Sequence, residues 1–382
     1  MRRLFAWFLT ALLLWAACPA FALKVPDIPA DAESADLSAL KRLSDSNAEA
    51  LAKELLNYPA LKSCDLSGVQ LSLKASAALT EACPDILFHF MLDLEGHRLD
   101  SFLTELDLDA LTDSRGAPLS RKLKALQLRR LLTCMPYLKS ISVVESRILL
   151  KDMEPIIADF PDVAFDWTVH ADSVNYGWDS ENRKYFEPMA FRPGATAFST
   201  RKGRQDPRYT AKDLEPVVRY CPDLLALDVG HNNVSDLSFL SAFPKLRRLI
   251  VIDSKVPVTD ISPLADLNDL EYVELFMQNI TDISALAGKV RLLDLNLCHN
   301  DITDLTPLHS CVNLERLWIS YNKNLPQEEI DRLQEALPNL RIETKEREST
   351  GAGWREHPRY FIMSRSFITG IYEPFETEQE NP

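Results

Sequence analysis

From Leu224 onward the apolar residues fall in one frame: Leu224, Leu227 and Val229, closed by the polar Asn232. The frame returns at Leu246, Leu249, Val251 and Ser254, at Leu270, Val273, Leu275 and Gln278, at Leu292, Leu295, Leu297 and Asn300, and at Leu314, Leu317, Ile319 and Asn322. Successive frames begin 22, 24, 22 and 22 residues apart. Counted from the first leucine, apolar residues at the third and fifth offsets alternate with outward positions, the two-residue period of a strand. One such unit cannot bury its own leucines, so the pattern predicts stacked coils whose short strands pair in parallel. The polar residue at the eighth offset is predicted to hydrogen-bond backbone groups in a turn that water does not reach. Aspartates recur in the next turn, at Asp236, Asp260, Asp282 and Asp304, where a carboxylate accepts local backbone N–H groups.

Upstream the period lengthens. Tyr58 to Ser63 matches Met135 to Ser140, and Pro84 to Phe90 matches Pro161 to Trp167, both pairs offset by 77 residues. A shared offset over two motifs implies a duplicated unit, and Cys221-Pro222-Asp223-Leu224 opens the regular array with the same motif, so one continuous sheet is predicted over 58–343. Helical patterns occupy 74–82, 120–134, 152–159 and 211–220, each stopped near a proline, with a last one at 327–336. Residues 170–193, with Tyr176, Trp178, Tyr185, Phe186 and Phe191, interrupt the register and predict an excursion. The ends of stacked coils expose leucines and an unpaired strand edge. Asp36 to Leu56 reads as a helical cap at one end, and the aromatic segment Trp354 to Phe375 as a packed cap at the other.

The regular frame, continuing as Asn-x-Ile-x-Asp-Leu-x-x-Leu in Asn300, Ile302, Asp304, Leu305 and Leu308, resembles the leucine-rich repeats of internalin-like bacterial surface proteins over residues 224–343. The longer repeats of the N-terminal half resemble those of ribonuclease-inhibitor type. The resemblance implies an α/β leucine-rich-repeat solenoid with a parallel concave sheet and helices on the convex side, mainly in the N-terminal half. The layout expected is a signal peptide at 1–22, a helical cap at 23–57, irregular repeats at 58–223, regular repeats at 224–343, and a cap with an acidic tail at 344–382.

Met1, Arg2 and Arg3 lead into an apolar run from Leu4 to Ala17, the pattern of a secretory signal. Two processing readings stay open. Ala20-Phe21-Ala22 suits cleavage and free secretion, whereas Trp15-Ala16-Ala17-Cys18 resembles a lipid-attachment motif that would anchor the chain through Cys18. Either reading makes the chain extracytoplasmic, and no segment has the roughly 20 apolar residues of a membrane-spanning helix. Without residues 1–22 the chain keeps 40 basic against 56 acidic residues, which argues against nucleic acid as a partner. The one basic cluster, Arg201, Lys202 and Arg204, reads as a solvated loop. Six cysteines remain, Cys64, Cys83, Cys134, Cys221, Cys298 and Cys311, at repeat positions that suit buried thiols better than bridges.

Little in the chain points to catalysis, a cofactor or a metal. The seven histidines show no metal-ligand spacing, and the 11 glycines form no phosphate loop. His231 and His299 share the seventh offset but lie three coils apart, about 14 Å at ~4.8 Å per strand, too far to share one ion. The second, fourth and sixth offsets point to the concave side, with the seventh at its edge. There the repeats collect Arg248, Ile250, Ile252, Tyr272, Phe276, Met277, Arg316, Trp318 and Tyr321. Aromatic and arginine anchors of this kind are enriched at binding hot spots. The expectation is a non-catalytic recognition protein that takes a protein partner on this face. An envelope scaffold and a carbohydrate- or wall-binding module, the latter depending on Trp318, are the alternatives.

Overall fold

Every strand of the regular array sits at the offsets read from the repeats. The computed structural model describes residues 26–40, 43, 45–171, 178–179, 184–185, 189–200, 208–345 and 349–375. The leader with Cys18, the basic cluster 201–204, and Tyr176 and Phe186 lie outside them. By its internal contacts the chain divides into two compact units, Met1–Val143 with Ile156–Asp166, and Val144–Pro155 with Trp167–Pro382.

In the first unit β1 (Ser34–Asp36), β2 (Ser63–Asp65) and β3 (Leu87–His89) form a parallel sheet, Ala35 aligned with Cys64 and Cys64 with Phe88. A hairpin follows, β4 (Met91–Leu94) antiparallel to β5 (His97–Asp100), turning through Glu95 and Gly96 in the left-handed region. Then come β6 (Glu105–Asp107), β7 (Ser140–Val143) and β8 (Ala164–Trp167), again one sheet. Between the strands run α1 (Asp45–Leu55), α2 (Leu73–Ala82), α3 (Ala125–Thr133) and α4 (Leu150–Asp159), close to the predicted helices. Packing decides their faces: α2 lies against α1 and α3, and α3 buries Leu128, Leu131 and Leu132.

Two expectations are corrected here. The segment 36–56 is not helical throughout. Ser34–Asp36 is the first strand of a coil, and the Asp36 carboxylate ends it by accepting the Ser38 N–H at 2.9 Å. Nor is there one sheet over 58–343, because the parallel strands form three separate sheets. The β4–β5 hairpin pairs with itself, and β9 (Val169–His170) pairs antiparallel with β12 (Ala190–Phe191), so neither passes on a parallel ladder. The excursion lies between these two strands and contains a short antiparallel pair, β10 (Trp178–Asp179) with β11 (Lys184–Tyr185).

The second unit holds the long sheet. Its seven strands, in chain order, are β13 (Ala197–Ser199), β14 (Ala226–Asp228), β15 (Arg248–Ile250), β16 (Tyr272–Glu274), β17 (Asp294–Asn296), β18 (Arg316–Trp318) and β19 (Arg341–Glu343). Leu227, Leu249, Val273, Leu295 and Leu317 align across consecutive strands and are fully buried. Burying a side chain of this size stabilises the fold by about 1.5–3 kcal/mol. On the return path α5 (Glu215–Tyr220) and α6 (Gln327–Ala336) flank coils that have only short 3-10 turns, such as Ser262–Leu264 and Ser284–Leu286. The 22-residue period leaves no room for more.

Four of the five eighth-offset residues do what buried turns require, while Ser254 accepts from Gln278 Nε2 at 3.4 Å. Asn300 Nδ2 donates to the Leu275 and Leu297 carbonyls at 2.9 and 3.0 Å, and its Oδ1 accepts the Ile280 N–H at 3.0 Å. Asn322, Gln278 and Asn232 repeat the pattern. Asp236, Asp260, Asp282 and Asp304 each accept the N–H two residues on, at 2.8–2.9 Å. Cys64, Cys83, Cys134, Cys221 and Cys311 are buried free thiols, and Cys298 is buried too. Burial pushes Cys64 and Cys134 up to about 12, so neither is a nucleophile.

Candidate functional site on the concave sheet

Outward side chains of β14–β18 do not meet solvent. Residues 349–375, whose centre is α7 (Pro358–Thr369), cross this face from the last strands to the first. At one end the Ser349 carbonyl accepts from Asn296 Nδ2 at 2.6 Å and the Gly351 carbonyl from Trp318 Nε1 at 3.1 Å. Trp354 then enters between Trp318 and Tyr272, ring centroids 5.1 and 5.5 Å away, and its Nε1 donates to Glu274 at 2.9 Å. Ile362, Met363 and Phe375 complete an apolar cluster with Ile250, Ile252 and Phe276.

At the far end the segment closes the sheet edge. Within the array, one carbonyl of each coil takes two N–H groups of the next, as Leu225 does for Arg247 and Arg248. The Gly370 carbonyl does the same for Thr196 and Ala197, at 3.0 and 3.1 Å, standing where the accepting carbonyl of a strand before β13 would lie. Gly370 has φ +76°, a left-handed helix end that suits glycine.

Charges run through this buried contact. Arg316 Nε donates to Asp294 Oδ1 at 2.6 Å, a directly opposed cross-strand pair. Arg359 of α7 reaches the same carboxylate, its Nη2 3.1 Å from Oδ1 and its Nε 2.7 Å from Oδ2, and also binds Glu315 at 2.6 Å. Arg248, fully buried, donates to Glu271 at 2.7 Å and to the Glu373 carbonyl at 2.7 Å. Its guanidinium lies 3.8 Å from the Phe375 ring centroid and 4.3 Å from that of Tyr372. Tyr272, fully buried, donates to Glu274, and burial beside that carboxylate holds its phenol well above the ordinary value.

The sequence expectation of an open face is therefore corrected. Arg248, Ile250, Ile252, Tyr272, Phe276, Arg316 and Trp318 are buried beneath the chain's own segment. Residues 349–375 lie on the sheet face as well as at its edge. Of the nine residues only Met277 and Tyr321 are exposed, each 45%. Glu271, Glu274, Asp294, Arg359 and Tyr372 take part without having been singled out, and Trp354 was read only as part of an end cap. The pairing of Asp294 with Arg316 did carry a signal, since both occupy the second offset of adjacent repeats.

Met277 and Tyr321 belong to a row at the sheet's rim. His231, Asp253, Met277, His299 and Tyr321, all at the seventh offset, have φ between 47° and 64°. Left-handed backbone is costly for such residues. It is held here because each of the first four N–H groups donates to a carbonyl of the next coil, at 2.7, 3.4, 2.9 and 2.9 Å. His231 meets Asp253 at 3.0 Å, and His299 stacks on Tyr321, centroids 4.2 Å apart. Burial and Lys323 lower the His299 pKa. Among the described residues no group of three His, Cys, Asp or Glu side chains could hold a metal ion. Nor is any described helix long and apolar enough to cross a membrane.

His357 ties the covering segment to pH. Its Nδ1 accepts the Arg359 N–H at the start of α7, a role only the unprotonated ring can fill. Burial, Arg316 and Arg359 lower its pKa, against the opposing pull of Asp294 and Glu315. A histidine that titrates lower when folded loses stability as pH falls below the free value of about 6.5 toward the folded one. His357→Ser keeps a capping acceptor and cannot protonate. It is expected to remove part of the loss seen between pH 7.5 and 5.5 in urea midpoints, and an unchanged pH slope would refute that role.

No family profile and no curated protein matches the chain in sequence. Solved structures similar to it include internalin C2 of Listeria monocytogenes, 23% identical over 41% of this chain and 76% of that one, with a TM-score of 0.30. A second internalin of that species is 16% identical over 78% and 79%, with a TM-score of 0.37. A leucine-rich-repeat protein of Leptospira interrogans is 14% identical over 79% and 75%, with a TM-score of 0.34. On its own repeat frame and the parallel register of β14–β18, the chain is an α/β leucine-rich-repeat solenoid.

Proposed function

We propose that this chain is a non-catalytic recognition protein, exported from the cytoplasm, that binds a protein partner on the concave side of its regular repeats. The observation that carries the reading is that this face already holds a peptide. Residues 349–375 are seated by an indole between two aromatic rings and by guanidinium–carboxylate pairs, the chemistry of a protein interface. The rim, with exposed Met277 and Tyr321 and half-buried His299 between them, offers a partner its first contact beside that segment. Export rests on the leader at residues 1–22, with lipid attachment at Cys18 as its variant. The indole on which a glycan-binding reading depended, that of Trp318, is buried and donates to Gly351.

The test is affinity capture with the full chain, followed by a titration of the captured protein. Met277→Ala with Tyr321→Ala is expected to weaken binding at least tenfold, about 1.4 kcal/mol, since exposed anchors of an interface carry that much. The thermal midpoint should hardly move, because surface substitutions usually change stability by no more than about 0.5 kcal/mol. Retention of no protein defeats the recognition reading. Equal affinity of the double variant removes the rim from the site.

A further inference from the structure

The two sides of the long sheet are built differently, although both are buried. The inward side holds Leu227, Leu249, Val273, Leu295 and Leu317 and no charge. The concave side holds Arg248, Glu274, Asp294 and Arg316 among Ile250, Tyr272, Phe276 and Trp318, every one of them at most 5% exposed. Withdrawing charges from water is expensive, and apolar residues of equal size often give the same stability or more. Charges on a face that is never uncovered therefore have no advantage for packing. On a face that is uncovered at times they keep it wettable and set which segment fits, as an all-leucine face could not. The cover can also leave without unthreading the fold. It follows the last strand, β19, and inserts between no two repeats of the sheet.

We infer that residues 349–375 are a displaceable occupant of the concave face, and that the face they uncover is the main protein-binding site. The partner it fits is a segment of the same chemistry: an amphipathic helix preceded by an aromatic residue. That aromatic ring enters between Tyr272 and Trp318, and an arginine on the helix pairs with Asp294. The inference rests on the protein-recognition reading for the identity of the partner, but not for the opening itself.

Two native thiols report the opening. Cys298 is fully buried beneath the segment, in the cluster with Ile252, Phe276 and Trp354. Cys311 is fully buried elsewhere in the same unit, its thiol 3.2 Å from the Leu286 carbonyl. The full chain is treated under native conditions with a thiol-specific disulfide reagent, and the modified peptides are quantified. Each rate is divided by the rate of the same cysteine in the urea-unfolded chain. Cys298 is expected to react at least tenfold faster than Cys311, and Trp354→Ala to raise that ratio at least tenfold more. Cys311 in the same sample registers any global unfolding the variant causes. Equal rates for the two thiols, or a ratio that Trp354→Ala leaves unchanged, overturn the inference. A high ratio with no protein captured defeats the recognition reading and leaves the displaceable segment standing.

Discussion

Trp318→Ala is expected to destabilise the chain by about 3–5 kcal/mol, the cost of removing a large buried aromatic whose surroundings cannot collapse. The indole is fully buried on the concave side of β18, packed on Trp354 with centroids 5.1 Å apart and beneath the Arg341 guanidinium at 4.8 Å. Its Nε1 is a donor to the Gly351 carbonyl, so the variant leaves that acceptor in a cavity as well. Tyr321→Ala, three residues along the chain but at the exposed rim, should move stability by no more than about 0.5 kcal/mol. Equilibrium urea unfolding of both variants measures the difference. A Trp318→Ala loss below about 1 kcal/mol would mean that residues 349–375 do not pack on the sheet in solution. The repeat pattern alone predicts no difference, treating both residues as surface positions with effects on binding only.

That contrast shows where the sequence was readable. Strands β14–β18 follow from the period, because an inward leucine or valine every 22 to 24 residues admits one register, and the buried Asn300 and Asn322 turns follow from the same frame. Which offsets face the concave side was equally legible. What lies on that face was not, because Trp354 and Glu274 are 80 residues apart and Arg248 and Glu373 are 125 apart. No local period links them. The clue was compositional: a sheet face and a later segment both rich in arginine and aromatic residues, each able to supply what the other lacks.

The break into three sheets was unreadable for a different reason. The duplication at an offset of 77 carries the strand motif intact in both copies. The alternating residues of the hairpin at Met91–Leu94 and His97–Asp100 look like one more coil until pairing shows them antiparallel. Likewise β1 hid inside a segment whose later residues are strongly helical, since three residues are too few to display a period.

Asp294→Ala is expected to cost about 3–5 kcal/mol, because one buried carboxylate serves two arginines from different elements. Arg316 reaches it across the sheet and Arg359 reaches it from α7, and both side chains are buried. Burial opposes the charge on Arg359, and Asp294 with Glu315 holds its pKa above the ordinary value, so the variant takes away a main support of a guanidinium that stays protonated in proteins. Exposed Glu315 is a weak substitute. The informative companion is the triple variant Asp294→Leu, Arg316→Met and Arg359→Leu, which removes the charges together. If the network existed for stability alone, the triple variant would be as damaged as the single one. Burial arithmetic expects otherwise: apolar replacements of similar volume are often neutral or stabilising. The triple variant should therefore recover most of the loss in urea unfolding, while the Cys298 to Cys311 labelling ratio should fall, because a face without charges gains more from staying covered. Recovered stability with an undiminished ratio would separate the charges from the opening, and a single variant within about 1 kcal/mol of the parent would show that neither arginine is sealed between the sheet and the segment.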